Sequence, residues 1–316
     1  MKIKLNSLQT NINLLMIFAG VLGYVIILLL FFFENIFTNA PAINTNGEQQ
    51  NLFYNNHPTY LLLLANAMLQ GVVWCILIFP ATAIISRIKN EFGTEYRIWP
   101  TFVVLLIAFL IVAITSIASI SHYLSPPASP YNHGGVKDLL FISTALLMGL
   151  YFLLGIVMVG RKCLDKMEHR DYDVSDYRRL RGYQDLLMNF TALILTLGVI
   201  SSILFHKAFI ESGSEAKLFP PEFSIMFGFI NTLLLLIFYL PNYFIMLDYG
   251  KRIIENKFPI ENEKKEVILV NVENQNNLSK SLKVDLTVTE SIKKTLLILS
   301  PLLSGLLPKV LELFGK

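Results

Sequence analysis

The sequence predicts an all-α integral membrane protein, a bundle of six transmembrane helices with a small cytoplasmic C-terminal tail made of a β-hairpin and an amphipathic helix. Three observations predict it. Of 316 residues 54% are hydrophobic and only 16% charged, too apolar for a soluble domain of ordinary composition. Six apolar stretches, about 13–35, 60–85, 99–123, 138–160, 185–206 and 223–247, each reach the roughly 20 residues that cross a hydrocarbon layer. Lys and Arg gather in alternate connections, as the positive-inside rule requires of a chain that passes back and forth.

Taken in order, the first stretch runs uncharged from Asn13 to Phe33. That is longer than a signal-peptide core, and no small-residue cleavage site follows, so it is expected to stay as a span. Backbone groups in lipid must bond internally, so all six stretches are expected to be helices. Glu34, Asp138 and Asp185 stand at their ends and no charge lies deep in any of them. The connection 36–59 has no Lys or Arg and 124–137 has only Lys137, whereas 86–98 carries Arg87, Lys89 and Arg97. The stretch Arg161 to Arg181 carries seven cations. Both termini are therefore expected in the cytoplasm of a bacterial-type inner (plasma) membrane.

Residues 1–248 thus read as the membrane domain and 249–316 as the tail. Within the tail, β-branched EVILVNV, the turn signal NQNN and the alternation of Leu282, Val284, Leu286 and Val288 predict a hairpin over 266–288. A leucine-rich helix is predicted over 290–314. Its residues Ile292, Leu296, Leu299, Leu303, Leu306, Val310 and Leu313 recur at heptad spacing, the pattern of an oligomerising seam. Pro301 and Pro308 interrupt it, and a helix lying in the membrane interface is the competing reading.

Chemistry-bearing motifs are missing: there is no P-loop, no HExxH, no paired Cys-x-x-Cys and no potassium-filter TVGYG. Enzyme activity, a cofactor and nucleic-acid binding are accordingly not expected. The four outer-face histidines, His57, His122, His133 and His206, show no ligand spacing, so no metal centre is expected either. Absence of ionisable groups at membrane depth removes the usual parts of a proton relay or voltage sensor.

Uncharged polar residues remain as candidates for a solute or ion path. Asn66 and Gln70 are four apart in the second stretch, Thr115 and Ser119 four apart in the third, Asn189 and Thr196 seven apart in the fifth, and Asn231 and Asn242 eleven apart in the sixth. Such stripes either replace part of a permeant's hydration shell or bond helix to helix. Pro80 and Pro241 are candidate hinges. Arg178, Arg179 and Arg181 form a cluster suited to anions or lipid headgroups.

The functional expectation is an oligomeric pore or channel-type effector, gated or assembled through its tail, with bacterial stress or phage defence as one setting. Its partners are the lipid bilayer, further copies of itself and a cytoplasmic protein or small-molecule trigger. The alternatives are a transporter of a small neutral solute, and a non-conducting anchor or signalling scaffold.

Overall fold

The structure is a computed structural model, and it describes residues 20–26, 58–92, 134–211, 222–260, 265–284 and 288–314. All regular structure among them is helical. In chain order the helices are α1 (20–26), α2 (Pro58–Phe92), α3 (Gly134–Glu168), α4 (Val174–Glu211), α5 (Glu222–Lys257), α6 (Lys265–Leu282) and α7 (Val288–Phe314).

Two expectations are corrected. The first is the count of six spans. Among the described residues three helices are long and apolar enough to cross a membrane, over Pro58–Asn90, Val174–Ala208 and Ser224–Lys257, within α2, α4 and α5. The other three predicted stretches are not among these. The predicted stretch 138–160 lies within α3. Stretch 99–123, with Thr115 and Ser119, lies outside the described residues, as does most of 13–35.

The second correction concerns the hairpin. Residues 266–282 lie in helix α6, and Val288 opens α7. Strand propensity is overridden by tertiary partners available only to the helix. The side-chain amides of Asn271 and Gln275, one helical turn apart, donate to the carbonyls of Pro259 and Phe258 at 2.7 Å each, closing off the end of α5. A helix C-terminal motif ends α6: Lys283 takes the left-handed conformation at φ 56°, and Val284 N–H donates to Ser279 O at 3.0 Å.

Helix α4 is the hub, packed against α2, α3, α5 and α7. Helix α3 runs antiparallel to it, with Gly155 against Leu187 and Gly149 against Leu195. Helix α5 runs parallel to α3, through the contacts of Gly160 with Asn242 and of Cys163 with Met246. The chain then doubles back: α6 returns along α5, setting Val284 against Gly250 and Tyr177, and α7 continues into the groove between α4 and α5.

One helix face carries an exposed apolar row. On α5 the exposed residues Met226, Phe229, Leu233, Ile237, Leu240 and Phe244 recur at three and four, while Ser224, Asn231, Thr232 and Asn242 are buried. Three membrane-length helices with apolar exteriors are compatible with a membrane location.

The basic stretch Arg161 to Arg181 is mostly helix rather than loop. It extends α3 to Glu168, roughly 12 Å beyond the apolar stretch, and resumes in α4 at Val174. Arg170, with φ 55°, ends α3 as Lys283 ends α6. Lys166 is ion-paired with Asp171 and, at 2.6 Å, with Asp176. Burial pulls its pKa down, but the hydrogen bonds it donates to both carboxylates, with their charge, outweigh this and the net shift is upward. Tyr249 OH donates to Asp171 O at 3.0 Å and fastens the turn to α5.

Asp173 caps α4, accepting from the Ser175 N–H at 3.1 Å and from its hydroxyl. These bonds, the hydroxyl's first, lower the Asp173 pKa. A depressed carboxylate contributes stability that is present above its unfolded pKa and lost as pH falls through the folded one. Acidification should therefore loosen this turn. Asp173→Asn, which still caps, should flatten the acid limb of amide exchange in the first turn of α4, and an unchanged limb would assign it to another group.

Candidate functional site

Three helices of the doubled-back arrangement meet at one polar junction. Lys294, in the second turn of α7, donates to Asp185 Oδ1 of α4 at 3.0 Å and to Tyr239 OH of α5 at 3.4 Å. Its ammonium also lies 4.7 Å from the centroid of the Tyr243 ring, which stacks on Tyr239 at 5.6 Å. One lysine thus ties α7 to both walls of its groove. A cavity of about 290 Å³ opens beside it, with Asp185, Asn189, Tyr239, Lys293 and Lys294 at its polar end and Met188, Leu297 and Ile298 on its apolar wall.

Beyond the junction the fit of α7 depends on small residues. Ser224 and Gly228 on α5 and Pro301 and Gly305 on α7 are each four apart. A methyl at Gly228 would meet Pro301 O at 2.6 Å, and one at Gly305 would meet Ser224 O at 2.7 Å. The two backbones cross in direct contact because a glycine without a Cβ stands on one side of each contact. Thr196 and Ser300 share a hydrogen bond at 2.9 Å, joining α7 to α4 in parallel.

The face that α7 buries is therefore Pro301, Ser304 and Gly305, and the predicted heptad seam lies elsewhere. Ile292, Leu296 and Leu303 are exposed, and Leu299 and Leu306 are half-buried. The side chains of Val310 and Leu313 lie outside the described residues. Small residues at i and i+4 were the legible signal for this crossing; a search for paired glycines passes over Ser224 and Pro301.

The other candidates are distributed over different helix interfaces. Gln70, fully buried on α2, donates to Leu197 O at 2.8 Å and to Ser201 Oγ at 2.5 Å, and Asn66 donates to the same hydroxyl at 2.6 Å. Asn242 donates to Phe238 O at 2.6 Å within α5 and packs on Gly160 of α3. Thr196 faces α7, Asn189 lines the cavity and Asn231 is buried on α5. These contacts join α2 to α4, α3 to α5 and α4 to α7. Interhelical bonds of this kind contribute about 0.6 to 1.7 kcal/mol each. Gln70→Leu also removes a buried amide oxygen, Oε1, that has no hydrogen-bond partner among the described residues. The substitution should therefore cost no more than about 1.5 kcal/mol in thermal unfolding in detergent.

No family model, curated protein or solved structure matches this chain. Its own geometry carries the functional reading.

Pro80 and Pro241 lie inside α2 and α5, which continue past them. Of the arginine cluster, Arg181 is buried and donates to Tyr177 OH at 2.7 Å and to Leu282 O at 3.0 Å, fixing the end of α6. Arg178 donates to Ser281 Oγ at 2.7 Å, and Arg179 pairs with Asp176 at 2.8 Å. Both cysteines are free thiols. Burial pushes the Cys163 thiol up to about 12, against the opposing charge of Lys162, and its Sγ sits 3.7 Å from Met246 Sδ. At pH 8 Cys163 should resist iodoacetamide in the native protein and react after denaturation, as followed by intact-mass spectrometry.

Proposed function

We propose that this protein is a membrane effector of the pore or channel type in which α7 is the gating element. The observation that carries this reading is the position of α7: a C-terminal helix docked in the groove between α4 and α5, held by one partly exposed ion pair, one hydroxyl pair and a glycine crossing. Such contacts hold a helix in place without making it permanent, since a partly exposed ion pair is worth only about 1 kcal/mol. Undocking would bare Ser224, Gly228, Thr196 and Asp185 along the groove, a polar strip between two membrane-length helices. The exposed row Ile292, Leu296 and Leu303 leaves α7 an apolar face for a second copy.

Ion flux from liposomes tests the reading. Thr196→Cys with Ser300→Cys, in a background where Cys75 and Cys163 are alanine, should close the path when the pair is oxidised and restore flux on reduction. Deleting 289–316 should alter flux in the same assay. Flux indifferent to both changes removes α7 from gating, and a membrane sealed under every condition removes the pore. A carrier of a small neutral solute is the second reading, favoured by Gln70 Oε1, which has no partner among the described residues; saturable solute uptake without ion current would select it.

A further inference from the structure

We propose that the cavity between α4, α5 and α7 holds the phosphate of an anionic phospholipid. Lys293 and Lys294 contact the oxyanion, and the first acyl methylenes lie against Met188, Leu297 and Ile298.

The lining has the two characters such a ligand requires. Its polar end offers two ammonium groups, the Tyr239 hydroxyl and the Asn189 amide against a single carboxylate, Asp185. Lys294 is engaged by Asp185, whereas Lys293 is exposed and makes no ion pair among the described residues. About 290 Å³ accommodates a headgroup but not a whole lipid, so the chains must leave along the apolar wall.

Its level in the bundle is where headgroups belong. Asp185 is the last charge on α4 before Lys207, and Lys294 the last on α7 before Lys309. The cavity thus lies where charge gives way to apolar helix, beside a stacked tyrosine pair of the kind that marks the membrane interface.

A second, independent observation is an excess of donors on the same flank of α4. Arg181 and Gln184, 6% and 1% exposed, lie one turn before the cavity-lining Asp185 and Met188 without lining it themselves, and each keeps a buried N–H, Nε and Nε2, without a hydrogen-bond partner among the described residues. A helix flank with more donors than acceptors favours an oxyanion beside it.

Soluble phosphate offers the same oxyanion, and the apolar wall favours the lipid. The full chain would be reconstituted in nanodiscs of phosphatidylcholine with a minor fraction of phosphatidylglycerol, then extracted in mild detergent and its retained lipid measured by mass spectrometry. Phosphatidylglycerol should be retained over phosphatidylcholine. Lys293→Gln should lower that retention about fivefold, the preference that one lysine near an anionic headgroup contributes. Lys293→Arg should restore it, and Lys280→Gln, on the surface of α6, should leave it unchanged.

Equal retention in wild type and Lys293→Gln overturns the site. Displacement of the retained lipid by millimolar inorganic phosphate overturns the lipid source in favour of a soluble one. Binding is read here without flux, so loss of the site and loss of the pore reading are separate results.

Discussion

Lys294→Glu, or Asp185→Lys, should release α7 from its groove, and the double exchange should seat it again. The pair lies at 3.0 Å with side chains 23% and 41% exposed, so solvent screens it to about 1 kcal/mol. Reversal substitutes repulsion of similar size, and Lys294→Glu also removes the lysine's contacts with Tyr239 and Tyr243. A total of about 2 kcal/mol shifts the docked population roughly thirtyfold. Disulfide yield between Thr196→Cys and Ser300→Cys, in the background lacking Cys75 and Cys163, reports that population directly. Yield should collapse in either single reversal and recover in the double exchange. If the double exchange stays as low as the singles, the ion pair is not what positions α7.

The second large effect is expected at the glycine crossing. Gly228→Ala and Gly305→Ala each place a methyl against backbone atoms of the facing helix, which cannot rotate away as a side chain does. Overpacking of this kind costs about 1 to 3 kcal/mol. Both changes act on one contact, so the double variant should cost less than the sum. Thermal unfolding in detergent should fall for each, whereas Gly182→Ala, at a position with nothing within 4 Å, provides the comparison. Equal melting of Gly228→Ala and Gly182→Ala would mean that α7 does not cross α5 as closely as described.

How much of this was legible in the chain depends on the range of the interaction. Local composition read well: the stretches 60–85, 185–206 and 223–247 fall on α2, α4 and α5, because apolar length is a property of the segment itself. Residues 266–288 misled because β-branched alternation records a local preference. Asn271 and Gln275 gain carbonyl partners only when α6 folds back on the end of α5. The leucines of α7 gave a periodic row, and periodicity identifies a face but not what covers it. Here the small residues Pro301, Ser304 and Gly305 turn inward, while Leu296, Leu303 and Leu307 face outward, the order expected where lipid or another helix covers the apolar side.

The candidate polar residues divide along the same line. Spacing correctly places Asn66 and Gln70 on one face of α2, but their common partner Ser201 is more than 130 residues away in the chain. Asp185 and Lys294, 109 residues apart, carry no mutual signal in sequence. By itself, the sequence determined that the chain is apolar enough for membrane-length helices and where its cations cluster, since these are sums over neighbouring residues. The tertiary structure alone decided that the C-terminal segment doubles back, that α7 fills the groove of α4 and α5, and that one lysine closes the junction. Those outcomes follow from a close backbone crossing and an ion pair, and each requires two distant segments to arrive at the same place.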